Sequence, residues 1–170
     1  MATFNANNPG MVANKLYKSG DFNGALAKYQ EAANSEADTE KKASYFFSMA
    51  SINFRKLKKY SEARRLAREA SNLRPNWGKP FMLIGDMYAS TSGSCGSTPF
   101  DKGLAAIAAI DKYRKAKSVD PSMADEASKK IGKYMAYRPD QEAAFMMGVK
   151  AGASKKVPCW IGETVTVSFK

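Results

Sequence analysis

The chain has no histidine among its 170 residues. That removes the side chain that most often acts as a general base near neutral pH, and the commonest metal ligand. Cysteine is almost as scarce: only Cys95 and Cys159 occur, too far apart for a CxxC pair or a zinc cluster. No phosphate-cradling GxxxxGK or GxGxxG motif is present; GSCGS at 93–97 has glycines but no lysine-serine after them. No run approaches the roughly 18 to 20 apolar residues of a membrane span. The longest candidate, Leu104 to Ile110, is alanine-rich and reads as a buried helix. The opening MATFNANNPG has no basic stretch followed by an apolar one, so no signal peptide is read there. Little of an active site can be assembled from this inventory. The expectation is a protein without enzymatic activity, cofactor or metal, with Glu62, Glu69, Asp125 and Glu126 on solvated faces.

What the chain does have is positive charge and periodicity. Lysine and arginine number 27 against 16 acidic residues, a formal net charge of +11, which speaks of partners and solubility rather than fold. Arg55, Lys56, Lys58 and Lys59 form one run, followed by Arg64, Arg65, Arg68 and Arg74. Such a stripe can bind nucleic acid or another anionic polymer. With Tyr60 the only aromatic interleaved for base stacking, a solvated outer helix face is the preferred reading. At this length and ordinary apolar content the chain is expected to form a single domain, residues 1–170.

The periodicity is clearest in PFMLIGDMY at 80–88. Phe81, Ile84, Gly85 and Tyr88 fall on one helix face. Gly85, which costs a helix about 1 kcal/mol relative to alanine, suggests that another backbone approaches closely. A shift back by 34 residues lands on Phe47, Ala50, Ser51 and Phe54, the same size classes in the same order. Tyr60, Ala63, Ala67, Ala70 and Pro75 follow, and Pro75 and Pro121 end helices of similar type. An earlier copy runs Val12, Ala13, Leu16, Gly20, Asp21, Phe22, Ala25, Tyr29 and Ala32.

In these residues the chain resembles the tetratricopeptide repeat family, whose unit is a helix–turn–helix of 34 residues. The resemblance covers about Asn8 to Pro121 and implies an all-α, TPR-like α-solenoid. Its three helix pairs are expected at about 8–37, 43–75 and 78–121, followed by two capping helices within 122–152 and an extended, strand-like tail at 156–170. Small residues such as Gly85, Ala63, Ala70 and Ala116 would let paired helices approach, with Tyr88, Tyr29 and Tyr113 filling the space between pairs. Two departures stand out. The polar segment Asn34 to Lys42 exceeds the family spacing, as a longer loop or as extended helix ends. An insertion at 90–101 replaces a tight turn with STSGSCGSTPF, the next helix beginning near Pro99 or Phe100. The first capping helix carries Ile131, Tyr134 and Met135 on one side and Asp125, Lys129, Lys130 and Lys133 on the other. The tail alternates, with Val165, Val167 and Phe169 on one side. It is expected to pack back along the array or to pair with something outside the chain. No polar capping helix precedes the first repeat, so the chain is expected to be a fragment of a longer repeat protein.

The resemblance also implies function. In this family the first helices line a concave face that holds a peptide. Projected onto this chain, the groove candidates are Asn14, Tyr17, Lys18, Tyr45, Met49, Ile52, Arg55, Lys79, Met82 and Asp86. Some relatives clamp a C-terminal carboxylate; Asn14 and Lys79 match two clamp positions, but Gly10, Met49 and Leu83 stand where other polar or basic groups are needed. A mixed apolar and basic groove better suits an acidic or amphipathic segment. The implied role is a protein-interaction scaffold, the alternative a basic adaptor for an anionic polymer. The Ser-Cys-Gly loop and the Cys-Trp-Ile-Gly-Glu of the tail look similar to repeat proteins of bacterial cell envelopes. If the tail folds back, a Cys95–Cys159 disulfide would fasten both segments in an oxidising compartment such as the periplasm. Two unpaired thiols in a cytoplasmic protein are the alternative.

Overall fold

A computed structural model describes residues 8–170. Among these the chain is mainly helical, with eight α-helices and one two-stranded sheet. It divides into two compact units at the Pro75–Asn76 junction.

The first unit holds α1 (Pro9–Ser19), α2 (Phe22–Ser35), α3 (Thr39–Arg55) and α4 (Tyr60–Leu73). Local chemistry sets these bounds. The Asn8 side chain accepts a hydrogen bond from the Gly10 amide ahead of Pro9, satisfying one orphan donor of α1. Gly20 closes α1 in the left-handed conformation, φ 87°, which glycine adopts at no steric cost. Asp21 and Asp38 cap α2 and α3 by accepting from backbone amides. Only Glu36 to Asp38 separates α2 from α3, so extended helix ends, rather than a long loop, absorb the extra residues of the 34–42 segment. The helices pack in chain order, α1 on α2, α2 on α3 and α3 on α4. Their seams are lined by fully buried Ala13, Ala25, Ala33, Ala43, Ala50, Ala63, Ala67 and Ala70. Side chains this small let the helix axes approach closely.

The second unit is built on α5 (Lys79–Thr91) and α6 (Pro99–Val119), against which α7 (Ala124–Met135) packs. Fully buried Tyr88, Tyr113, Ile84 and Met87 lie in its core, each contributing on the order of 2 kcal/mol by leaving water. A Cβ on Gly85 would lie 2.5 Å from a carbon of the Tyr113 ring. The close neighbour inferred from this glycine is therefore an aromatic side chain and not a second backbone. The 90–101 insertion is mostly helical: α5 continues to Thr91, a 3-10 turn covers Ser92–Ser94, and α6 starts at Pro99. Thr98 and Asp101 form a reciprocal capping box at that start.

Beyond α7, α8 (Gln141–Met146) is shorter than expected; Gly148 follows it with φ 70°, a conformation that ends helices. The tail finds its partner inside the chain. Strand β1 (Ser154–Lys156) pairs antiparallel with β2 (Thr164–Thr166), Lys155 opposite Val165. A two-stranded ribbon is marginal alone, and here it docks: β2 packs on α6, while Val157, Ile161, Val165 and Val167 are buried. Trp160 Nε1 donates to Thr91 Oγ1 at 3.1 Å, and its ring meets Tyr88 edge-on with centroids 5.4 Å apart. The Tyr88 hydroxyl donates to Glu163, whose other oxygen pairs with Lys112 at 2.9 Å. Cys95 and Cys159 are bonded, S–S 2.10 Å, joining the loop before α6 to the turn between the strands.

Candidate functional site

A pocket of about 240 Å³ opens in the first unit. It is lined by Asn14 and Tyr17 of α1, Tyr29 of α2, and Phe47, Ser48, Ser51 and Ile52 of α3. Helical spacing brings them together. Asn14 and Tyr17 are three residues apart, and Ser48, Ser51 and Ile52 follow the i, i+3, i+4 pattern of one face. Tyr29 reaches across α1 and α2, its hydroxyl donating to Asn14 Oδ1 at 2.5 Å. Burial pushes the Tyr29 phenol above its ordinary pKa, against the Ser48 hydroxyl, whose hydrogen bond lowers it. Tyr29 thus stays a neutral donor that orients Asn14. The walls combine aromatic rings, an aliphatic floor and hydroxyl and amide groups, a pairing of apolar surface with few directional groups that suits ligand recognition. The volume lies below the roughly 300 Å³ at which drug-sized sites begin, so the pocket admits about one side chain.

Of the ten groove candidates, Asn14, Tyr17 and Ile52 share this pocket. Tyr17 is 38% exposed, whereas Ile52 is 3% exposed and forms the floor. Lys18 and Arg55 are exposed on α1 and at the end of α3. Tyr45 is half-buried and packs elsewhere: a Cβ on Gly10 would fall 2.8 Å from its ring, and Tyr29 lies beside it with centroids 6.1 Å apart. Met49 and Met82 are core residues, 3% and 5% exposed, so they offer a ligand almost no surface. Lys79 is exposed at the start of α5. Asp86 is engaged within the second unit. It accepts from the Tyr113 hydroxyl at 2.9 Å and pairs with Lys130 Nζ at 2.6 Å. Lys130 therefore bridges α7 to α5 instead of lying on a purely solvated face. Burial, and then the Asp86 charge, push the Tyr113 phenol above its ordinary range.

The pocket also contains Tyr29, Phe47, Ser48 and Ser51, which the groove projection omitted. Ser48 and Ser51 carried a usable signal, since Ser48 stands three residues before Ser51 and four before Ile52 on a common face. Tyr29 and Phe47 did not, because a pocket wall and a core seam have the same periodicity.

The basic run lies around the α3–α4 turn, where Lys58 adopts φ 56°. Its cations rest on aromatic faces. Lys56 Nζ is 5.9 Å from the Tyr17 ring centroid and 5.5 Å from that of Phe22, and Arg55 lies over Phe54 at 5.4 Å. Lys56 therefore places positive charge beside an aromatic of the pocket mouth. Arg65 is paired with Glu62, a contact that holds the Glu62 carboxyl below its ordinary range.

Among the described residues no group of three or more cysteine, aspartate or glutamate side chains is placed to hold a metal ion. No helix among them is long and apolar enough to cross a membrane. No family profile matches the chain, and no curated protein matches it.

Proposed function

We propose that this chain is a non-catalytic, TPR-like scaffold that binds a segment of another protein on the α1/α3 face of its first unit. The observation that carries this reading is the pocket formed by Asn14, Tyr17, Tyr29, Phe47, Ser48, Ser51 and Ile52. An apolar anchor of the partner would enter between Tyr17 and Ile52, while Asn14 and the serines would bond the partner's backbone. Lys56 beside the Tyr17 ring, with exposed Lys18 on α1 and Arg55 on α3, favours an acidic or amphipathic segment. The solenoid arrangement of helix pairs belongs to the same proposal and rests on the 34-residue spacing of the small and aromatic positions. The bonded Cys95–Cys159 pair supports an oxidising compartment, such as a bacterial periplasm or envelope assembly.

Affinity capture from the native source, comparing wild type with Ser51→Trp and Tyr17→Ala, tests the reading. Ser51→Trp should fill the pocket and lose a partner that wild type retains, with helicity unchanged. Equal recovery by all three proteins would remove this pocket from the account. The exposed run around Lys58 supports a second reading, a basic adaptor for nucleic acid or another polyanion. In that reading, binding of single-stranded DNA on filters should fall steeply with salt. No retention at micromolar protein and low salt ends it.

A further inference from the structure

The second unit carries an apolar surface that no other described residue covers. Phe145, Met146 and Met147 are consecutive and 77%, 83% and 54% exposed, and Tyr137 is 61% exposed. On the same short helix and its exit, Ala144 and Val149 are buried. The inner side of α8 is therefore already satisfied, and the large side chains point away from it. Phe145, Met146 and Met147 together present on the order of 400 Å² of side-chain surface. That falls in the size range of the largest apolar patch on a monomer, which is often functional.

Beside Phe145 lies an open hollow of about 580 Å³, with Val149 and Phe169 as apolar walls and Asp140, Glu142, Lys150 and Lys170 around them. The four charges sum to zero, and Lys170 stands 3.9 Å from Asp140. An anionic bilayer pressed onto this face would meet two carboxylates, and a strongly acidic or basic protein would meet like charge on half of the rim. A second copy of the same face brings both signs with it, so in a two-fold arrangement the lysines of one rim can face the carboxylates of the other. A two-fold interface requires a patch that complements itself, and here an apolar knob sits next to a hollow that combines the Phe169 ring with charged groups of both signs.

We infer that two copies of this chain associate through the α8 face, the Phe145–Met146 knob of each seated in the hollow beside Val149 and Phe169 of the other. The apolar knob with its polar rim can reach the roughly 800 Å² per partner of a standard interface. The net charge of +11 sets copies against one another at long range. Association should therefore tighten with salt, opposite to binding of an acidic partner. The inference is independent of the α1/α3 pocket, which lies in the other unit.

Sedimentation equilibrium of the full chain at low and at high salt tests it, with Phe145→Asp/Met146→Asp and Tyr17→Ala as comparisons. Both aspartates replace exposed side chains, so circular dichroism should match wild type. The expected result is a wild-type dimer that tightens with salt, and a Tyr17→Ala protein that behaves identically. The double variant, whose changes appear twice in the interface, should dissociate at least about 100-fold more weakly held. A wild-type monomer up to about 200 μM at high salt would overturn the inference, since standard-size interfaces hold at micromolar concentration or below. So would a dimer that survives the double substitution. Monomeric protein that co-sediments with phosphatidylglycerol vesicles, and loses this in the double variant, would assign the face to a membrane instead.

Discussion

Reducing the Cys95–Cys159 bond should cost the second unit several kilocalories of stability while leaving its native structure in place. The two cysteines are 64 residues apart. Cross-linking a loop of that length removes about 4 kcal/mol of conformational freedom from the unfolded chain in the entropy relation for loop closure. The native tail should stay docked after reduction, because other contacts hold it. Val157, Ile161 and Val167 are at most 1% exposed. Glu163 is tied to Tyr88 and Lys112, and Trp160 to Thr91. The loss should therefore appear in the unfolding equilibrium and not in the far-ultraviolet spectrum. Urea unfolding, followed by circular dichroism and tryptophan emission with and without reductant, is the assay. With a urea slope near 2 kcal/mol per molar, about 4 kcal/mol moves the midpoint down by about 2 M. Alkylation of the native, unreduced protein should add no mass. A midpoint shift under about 0.3 M, from a slope of that size, would mean that the reduced unfolded chain is no freer than the bonded one.

Gly85→Ala sets a new methyl 2.5 Å from the fully buried Tyr113 ring. Overpacking of about 1 to 3 kcal/mol should outweigh a helix-propensity gain of about 1 kcal/mol, lowering the urea midpoint; an unchanged or raised midpoint would mean that the ring yields freely. The fold holds the Tyr113 phenol above its ordinary value of 10.0, first by burial and then through Asp86. Its neutral form is thus favoured in the native state, and that contribution is intact below about pH 10. It declines as pH rises further and the unfolded phenol ionises. Thermal melts should therefore show a shallower loss of stability above pH 10 in Tyr113→Phe than in wild type. Parallel curves would contradict this.

The helices were legible where each turn repeated one kind of information. Phe81, Ile84, Gly85 and Tyr88 marked a packed face, and three of the four are buried with their neighbours as that face requires. Gly85 showed that something lies close, but a missing side chain cannot distinguish a ring from a backbone. Met49 and Met82 were misplaced as groove residues for a related reason. Both helices are apolar on more than one side, and periodicity does not say which side the next helix covers. The strand of the tail was visible in its alternating valines. Its partner was not, because Ser154–Lys156 is exposed at every position and carries no hydrophobic pattern. The exposed Phe145–Met147 run was read as part of a longer helix. Gly148 held the sign of the earlier stop, since glycine in the left-handed conformation commonly closes a helix. Asn14 and Tyr17, groove candidates by the family resemblance, stand on the exposed side of the first helix and line the pocket. The pocket they line depends on Tyr29 and Phe47, whose sequence pattern is that of core.

Binding of a partner segment at the α1/α3 pocket of the first unit would register in amide hydrogen exchange on the complex. With the captured partner in excess, exchange should slow in Pro9–Ser19 and Thr39–Arg55, the two helices that supply Asn14, Tyr17, Ser48 and Ile52. The same protection should be absent in Ser51→Trp. Protection confined to residues 137–170, with α1 and α3 exchanging as in the free protein, would place the partner on the second unit and rule out the α1/α3 pocket.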